Sequence, residues 1–294
     1  MFDRCLLRVA AAALLAAVLL RRHRRLCARR QHAARRQHAA AAIEPSRSSA
    51  DCCSLPPELR SQRVHCYELA RYPFPSLLAA LLALAPDALL ERLHETPDAL
   101  RWLAGVKRLG SRPYAMRRNA FDKRIKAAAG RLGFRAAGSH LQRCYEAFVR
   151  EVVAPAVDPE GAGLLYQAEP NVRIHLPGTG HLLVHRHTDA DYHHNPNEVN
   201  FWVPLTPAYG TNSVFVESAP GLGDYEPFEM EPGEAVRFWG NRCAHYTLPN
   251  DTGATRVSFD FRVVPRRHWR ERYPMSHRKD GTPRFGENAY FVSL

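Results

Sequence analysis

Two histidines and one carboxylate, in the order His-x-Asp … His, are the residues of this chain most suited to chemistry. His187 and Asp189 lie two residues apart, and His245 follows in the run NRCAHYT. Two imidazoles with one carboxylate form the ligand set of a mononuclear non-haem Fe(II) site, which leaves coordination positions open. A bidentate 2-oxo acid and dioxygen would fill those positions. The sequence therefore predicts that His187, Asp189 and His245 bind one metal ion.

The run RVSFDFR at residues 256–262 predicts a strand that lies beside this site. Side chains alternate between the two faces of a strand, so Arg256 and Ser258 share one face with Asp260 and Arg262. Arg256 offers a guanidinium fork for a carboxylate and Ser258 adds a hydroxyl donor. We therefore predict that these two residues anchor a carboxylate cosubstrate, while Asp260 and Arg262 pair with each other or line the cavity.

A second predicted strand, residues 199–205, also carries polar groups on one face. Asn200 shares that face with Trp202, so its amide is predicted to reach the cosubstrate or an oxygen ligand of the metal. The aromatic rings of Trp202, Phe238 and Trp239 are interpreted as core rather than as a stacking surface for a substrate.

The net charge of +12 is concentrated at the N-terminus. Residues 1–43 contain ten Arg and only Asp3 as an acid, which leaves about +3 for the rest of the chain. A basic tail on a nearly balanced domain argues against a nucleic-acid-reading surface. We therefore predict a small-molecule substrate and no nucleic-acid partner.

The N-terminal fifty residues resemble a targeting or anchoring segment. An apolar run at residues 9–20, extended to 5–20 if Arg8 is tolerated, is followed by a basic cluster and a tandem ARRQHA repeat. Arg enrichment without acids favours a transit peptide to a plastid or mitochondrion. A signal anchor, with membrane association through residues 5–20, is the alternative. Residues 1–50 are accordingly set apart from the folded region.

The remaining chain predicts an α+β protein. Residues 51–158 show helical signals, including a Leu/Ala-rich helix at 76–85, a capped helix from Thr96 to Lys107 and another after Ser139. From there the period becomes two, and six short strands are predicted at residues 164–168, 172–176, 199–205, 214–217, 235–239 and 256–264. Strands without intervening helices indicate an antiparallel sandwich or jelly roll at 159–265. Residues 266–294 are interpreted as a segment returning over that core.

The basic side chains between residues 117 and 126 are interpreted as a solvated face, with binding of an acidic substrate as the alternative. The seven cysteines are odd in number and contain no CxxC pair. We expect reduced, structural cysteines, and a bridge from Cys52 or Cys53 to Cys66 remains open as the alternative.

Four runs of sequence resemble a known family. They are HRHTDADYHHNPNEVNFWVPLT, NSVFVES, FWGNRCAHYT and NDTGATRVSFDFRVVP. Over about residues 160–265 the chain is similar to the StrG-type group of 2-oxoglutarate/Fe(II)-dependent oxygenases. More broadly, it resembles the double-stranded β-helix dioxygenases, which include the phytanoyl-CoA hydroxylase relatives.

The resemblance implies a double-stranded β-helix (jelly-roll) core with a helical region packed on it. It implies a dioxygenase that uses Fe(II), 2-oxoglutarate and dioxygen to oxidise a small organic substrate, with release of succinate and CO2. The family pattern carries the metal ligands onto His187, Asp189 and His245, and the cosubstrate anchor onto Arg256 and Ser258. Because Asp189 is present, hydroxylation or another oxidation is implied rather than halogenation.

Other interpretations of the same residues stay open. His185 and His187 could form a cupin-like metal pair with Asp191, without 2-oxoglutarate. A jelly-roll module that binds a ligand without catalysis is a further alternative. Asp191 and Tyr192 are interpreted as groups that orient a ligand imidazole. The histidines at 193 and 194 are interpreted as surface or turn residues.

Overall fold

The computed structural model describes residues 53–81, 84, 88–95 and 140–294, except 179, 181, 272, 274–276, 278–280 and 289. Its strands are β1 (Arg63–Cys66), β2 (Leu164–Gln167), β3 (Asn171–His175), β4 (Val199–Pro204), β5 (Phe215–Val216), β6 (Glu226–Pro227), β7 (Glu234–Phe238), β8 (His245–Tyr246), β9 (Arg256–Pro265) and β10 (Phe291–Ser293). Its α-helices are α1 (Pro57–Arg60), α2 (Phe74–Leu81), α3 (His140–Phe148) and α4 (Ala154–Val157), with a π-helical turn at Val149–Val153. Short 3-10 segments lie at Leu90–Glu95, Asp189–Tyr192, Gly210–Asn212 and Arg266–His268.

Two antiparallel sheets form the centre of the described chain. The larger sheet has seven strands in the order β1-β7-β4-β9-β2-β10, and β3 also pairs with β9. The smaller sheet has the order β6-β5-β8. Strand β9 is ten residues long and pairs with β2, β3 and β4. It is therefore the strand on which the large sheet is assembled.

One face of β9 packs on the helices and forms the main core. Phe259 and Phe261 lie on this face, and their rings contact the Tyr145 ring of α3 at 6.3 and 5.2 Å. Phe148, which is fully buried at the end of α3, meets Phe261 at 6.4 Å and Phe74 of α2 at 5.4 Å. Edge-to-face aromatic packing of this kind adds to the stability gained from apolar burial.

The other face of β9 is polar although it is buried. Arg256, Ser258 and Arg262 on this face are each less than a tenth exposed. The register places His175 opposite Arg256, Arg173 opposite Ser258 and Asn200 opposite Arg262. Buried polar groups require hydrogen-bonding or charged partners, so the residues of this face must satisfy one another or a bound group.

Most of the predicted elements are confirmed. All six predicted strands are present, and none of their bounds differs from the prediction by more than one residue. Helices also occur in the two regions predicted for them, near residues 76–85 and after Ser139. Strand β1 was missed, because the region from 51 to 158 was interpreted as helical. Val64 is the single β-branched residue of this four-residue strand, which pairs with β7 at the sheet edge. The C-terminal segment supplies strand β10, which pairs with β2.

Several predictions fall on residues outside the described part of the chain. They are the N-terminal segment 1–50, the helix from Thr96 to Lys107 and the basic side chains between 117 and 126. In the part that is described, no helix combines the length and apolar character needed to cross a membrane. The expectation of reduced cysteines is wrong at Cys66, which is disulfide-bonded, whereas Cys144 and Cys243 are free thiols.

The partly buried imidazole of His65 on β1 predicts a loss of stability in acid. Burial first, then the charges of Arg237 and Arg63, lower the pKa of His65 to about 3. The unfolded chain protonates histidine near 6.5, so between these values it binds more protons than the folded chain. We expect the free energy of unfolding to fall below pH 6.5, with His65 contributing up to about 1.4 kcal/mol per pH unit.

Urea denaturation between pH 7 and pH 4 measures this dependence. We expect His65→Leu to lose stability less steeply than the wild type as the pH falls. The matched control is His140→Leu at an exposed position of α3, which should keep the wild-type slope. Equal slopes for all three proteins would contradict the assignment.

Candidate metal centre

His187 and His245 are brought together by their backbones. They form an isolated antiparallel bridge in which His187 N–H donates to the His245 carbonyl at 3.2 Å and His245 N–H donates to the His187 carbonyl at 2.9 Å. Directly opposed residues of an antiparallel pair place their side chains on the same face. The two imidazole rings consequently lie 4.3 Å apart, centroid to centroid.

Both imidazoles have the same orientation. The Nδ1 atom of His187 lies 2.7 Å from the His185 carbonyl, and Nδ1 of His245 lies 3.1 Å from the Cys243 carbonyl. A carbonyl can only accept a hydrogen bond, so in the neutral form of each imidazole Nδ1 carries the proton and Nε2 keeps its lone pair. Burial lowers the pKa of His245 to about 4, with the charge of Asp189 opposing that shift. At neutral pH His245 is therefore in the form that binds a metal.

Asp189 joins the pair from the first residue of a 3-10 turn. Its backbone N–H donates to the Gly240 carbonyl at 2.8 Å, which ties the turn to the residue that follows β7 by two positions. The Oδ2 atom accepts hydrogen bonds from Asn200 Nδ2 at 2.7 Å and from Arg262 Nε at 3.1 Å. Oδ1 accepts from Arg262 Nη2 at 3.1 Å. Burial alone would raise the pKa of Asp189, but the Arg262 guanidinium holds it well below the usual range.

The three side chains fit a divalent metal ion. Asp189 Oδ1 lies 3.7 Å from His187 Nε2 and 3.9 Å from His245 Nε2. One ligand atom from each of the three residues lies within 4.8 Å of the other two. Two lone-pair nitrogens and an ionised carboxylate oxygen converge here, and each is oriented by a second hydrogen bond. This donor set suits a metal such as Fe(II).

Arg256 and Ser258 also lie together, as the alternation of β9 predicts. Arg256 is fully buried, its Nη1 donates to Ser258 Oγ at 2.8 Å and its Nε donates to the Asn212 carbonyl at 2.9 Å. A series of contacts connects this pair with the metal-binding residues. The Arg256 guanidinium lies 5.7 Å from the centroid of the Trp202 ring. Ring contacts of 5.9, 5.5 and 5.5 Å then lead from Trp202 through Phe228 and Phe238 to His245.

Some predicted site residues have other contacts than expected. Asn200 was predicted to reach the cosubstrate or an oxygen ligand of the metal; its Nδ2 donates to Asp189 Oδ2 at 2.7 Å, and its Oδ1 accepts from Gly240 N–H at 3.1 Å. Trp202, Phe238 and Trp239 are buried core residues, as predicted. Asp191 accepts a hydrogen bond from Thr188 N–H and thereby caps the turn that carries Asp189.

The histidines around the site behave differently from one another. His185 is exposed, which separates it from the buried ligand cluster and disfavours the cupin-like pair. His193 is an exposed turn residue with φ of 60°, as predicted. The surface prediction for His194 is wrong, because its ring stacks on Phe285 at 3.6 Å and its Nδ1 lies 2.8 Å from Glu198 Oε2. The exposed Tyr192 packs its ring edge to face against His187 at 5.0 Å.

The sequence did not identify Arg262 and Gly240 as parts of this site. Arg262 was predicted to pair with Asp260 or to line the cavity; it does pair with Asp260 at 2.8 Å, but its bond to Asp189 was not predicted. The alternation of polar and apolar side chains along β9 was the pattern from which this role could have been predicted. Gly240 carried no such signal, since its importance comes from the close approach of Asn200.

The chain was compared with known proteins. No family model matches it. It is 38% identical over 122 residues to the streptomycin biosynthesis protein StrG of Streptomyces griseus, a match that covers 42% of this chain and 55% of StrG. The chain thus spans about half the length of this curated relative. The resemblance to the StrG-type group is confirmed by this match.

Two solved structures illustrate the structural likeness. The chain is 16% identical to a non-haem monooxygenase, ThoJ in complex with nickel, with 71% of this chain and 75% of that chain covered and a TM-score of 0.44. It is 15% identical to a prolyl hydroxylase from Trichoplax adhaerens bound to a hypoxia inducible factor peptide fragment, with 45% and 60% covered and a TM-score of 0.34. These likenesses are weak and decide nothing about the chemistry of this chain.

The contact between Gly240 and Asn200 predicts that metal binding depends on the glycine. A Cβ atom at residue 240 would lie 2.6 Å from Asn200 Nδ2, too close for the amide to keep its hydrogen bond to Asp189. We expect Gly240→Ala to weaken divalent metal binding by about tenfold or more, the usual effect of losing a group that orients a ligand. Isothermal titration with Mn(II) measures the affinity.

Gly286→Ala is the matched control for this substitution. A Cβ there would lie 3.1 Å from Pro283 Cβ in the C-terminal segment, so the variant is crowded without touching the metal-binding residues. It should lose stability and keep the wild-type affinity for Mn(II). Unchanged affinity in Gly240→Ala would show that Asn200 does not orient Asp189.

Proposed function

We propose that this chain is an Fe(II)- and 2-oxoglutarate-dependent dioxygenase that oxidises a small organic substrate and releases succinate and CO2. His187, Asp189 and His245 would hold the iron. Arg256 and Ser258 would anchor the distal carboxylate of 2-oxoglutarate. When bound, iron and 2-oxoglutarate together supply the activation of dioxygen, and substrate oxidation is the result of that chemistry.

One observation carries the proposal. Two imidazoles donate their Nδ1 protons to backbone carbonyls, which leaves each Nε2 available for a metal, and one ligand atom from each imidazole and from the ionised carboxylate lies within 4.8 Å of the others. Burying a carboxylate beside two imidazole nitrogens costs free energy, and folding alone does not require it. A metal ion makes this arrangement favourable.

The buried charges of the polar face support a dianionic cosubstrate. Arg173 and Arg262 pair with the carboxylates of Asp189, Asp260 and Glu198, and Arg256 lies on the same face of β9 as Arg262; all six side chains are largely buried. With the histidines neutral, these charges cancel. A divalent metal then adds two positive charges, and a dicarboxylate would balance them.

The residues of the chain do the binding and orienting. Arg256 presents a guanidinium fork next to the Ser258 hydroxyl, a pair suited to one carboxylate. The Trp202, Phe228 and Phe238 rings form an apolar wall between this pair and His245 that would exclude water. Arg262 and Asn200 hold Asp189 ionised and fixed.

We further propose that the two antiparallel sheets are the halves of a double-stranded β-helix. The polar face of β9 and the metal ligand on β8 would then line the space between the sheets. In this arrangement residues 51–158 form a helical support, 159–265 the catalytic core and 266–294 a return segment that ends in β10.

The substrate class follows from chemistry and from the relative. Asp189 occupies the carboxylate position, which favours hydroxylation or another oxidation over halogenation. StrG is named for the biosynthesis of streptomycin, a small organic molecule, and a small organic substrate is proposed for this chain. A non-catalytic ligand-binding module and a cupin-type metalloenzyme without 2-oxoglutarate are the competing functions.

Anaerobic titration of the whole chain with Fe(II) and 2-oxoglutarate tests the proposal. We expect a metal-to-cosubstrate charge-transfer band in the wild type and none in His187→Ala. Arg256→Lys keeps the charge but loses the fork, so we expect half-saturation to need roughly tenfold more 2-oxoglutarate. Arg266→Lys, which changes the same side-chain type where it pairs with Glu287 near the surface, should titrate like the wild type.

The competing functions give different results. A folded wild-type chain that shows no band would remove the oxygenase. Iron binding without a band, lost in His185→Ala, would favour the cupin-type site. A ligand-binding module would bind neither Fe(II) nor 2-oxoglutarate in a way that depends on His187.

A further inference from the structure

Arg262 has an unusual position for a strand arginine. It is almost completely buried, and its guanidinium contacts Asp189 through two parallel hydrogen bonds, Nε to Oδ2 and Nη2 to Oδ1, both 3.1 Å long. This two-point geometry fixes the plane of the carboxylate as well as its position.

The contacts determine how Asp189 can bind a metal. Oδ2 accepts from both Arg262 Nε and Asn200 Nδ2, so its two lone pairs are in use. Oδ1 accepts from Arg262 once and lies 3.7 and 3.9 Å from the two imidazole Nε2 atoms, which leaves its second lone pair for a metal. The carboxylate is therefore left with one oxygen for coordination.

Arg262 also lies inside a second group of possible metal ligands. Asp189, His194 and Glu198 have ligand atoms within 4.8 Å of one another. The guanidinium lies between the two carboxylates of this group, 3.1 Å from Asp189 Oδ2 and 3.9 Å from Glu198 Oε2. A cation is thus already present where a second metal would lie, so the group is not a separate metal site.

The guanidinium is held from its other side as well. Its Nη1 donates to Asp260 Oδ2 at 2.8 Å, and Asp260 is itself fixed by Arg173 at 2.8 Å and Asn171 at 3.1 Å. Arg262 cannot rotate away from Asp189 without also losing its hydrogen bond to Asp260. Through Arg262, strand β9 therefore fixes the orientation of Asp189, which lies on a turn far away in the sequence.

We propose that Arg262 is a positioning residue that restricts Asp189 to a single coordinate bond. Without the fork, the carboxylate could rotate and chelate the metal through both oxygens, which would consume a position needed for cosubstrate or dioxygen. The inference rests on the proposed function, because it takes His187, Asp189 and His245 as the ligands. It concerns the number of open positions on the metal, which the proposed function leaves undetermined.

The test compares two arginine-to-lysine variants of the full chain loaded with Mn(II). Arg262→Lys keeps the buried charge but offers one point instead of a fork, whereas Arg173→Lys makes the same change on the far side of Asp260. Two quantities are measured: the Mn(II) dissociation constant, and the number of bound waters from broadening of the Mn(II) resonance in 17O-enriched water. Neither depends on turnover, and thermal unfolding checks that both variants fold.

We expect about three bound waters in the wild type and in Arg173→Lys, and about two in Arg262→Lys. We also expect Arg262→Lys to weaken Mn(II) binding by about tenfold or more, and Arg173→Lys by less than about twofold. If Arg262→Lys does not fold, Arg262→Gln replaces it with the same expected loss of one water.

The outcomes separate this inference from the proposed function. Three waters in a folded Arg262→Lys or Arg262→Gln, with wild-type affinity, would overturn the positioning role and leave the metal site intact. Equal losses of Mn(II) affinity and of bound water in the Arg262 and Arg173 variants would also overturn it, since such losses would reflect the network of buried charges alone. Absence of wild-type Mn(II) binding that His187→Ala abolishes would contradict the metal site itself.

Discussion

The alternation of side chains along β9 is the constraint on which this structure depends. Successive residues of a strand face opposite sides, so ten residues can serve an aromatic core and a polar site at once. Phe259 and Phe261 pack on α3, whereas Arg256 and Arg262 face the site. A register shift of one residue would exchange the two faces and destroy both. Because β2, β3 and β4 all pair with β9, their registers are fixed by the same requirement.

Much of this arrangement could be predicted from the sequence, because the relevant patterns are local. The period-two run at 256–264 identified β9 and the shared face of Arg256 and Ser258, which the structure places 2.8 Å apart. The His-x-Asp … His order identified the three side chains that converge, because the chemistry of iron restricts the residue types. The resemblance to the StrG-type group rests on the same residues, and the match to StrG confirms it.

What could not be predicted depends on contacts between distant residues. Arg262 lies 73 residues from Asp189, and no local pattern shows that its fork reaches a carboxylate on another segment. Asn200 was placed on the correct face, but its partner is Asp189, which only the three-dimensional register reveals. His194 was misjudged because its stacking partner, Phe285, comes from the C-terminal segment. Strand β1 was missed because a four-residue edge strand carries little periodic signal.

The most direct measurement is anomalous X-ray diffraction from crystals of the whole chain grown with Mn(II) and 2-oxoglutarate without oxygen. One anomalous peak is predicted, within bonding distance of His187 Nε2, Asp189 Oδ1 and His245 Nε2. The distal carboxylate of 2-oxoglutarate should contact Arg256 and Ser258. A peak beside His194 and Glu198 instead, or a fully loaded crystal with no peak between the two imidazoles, would contradict the account.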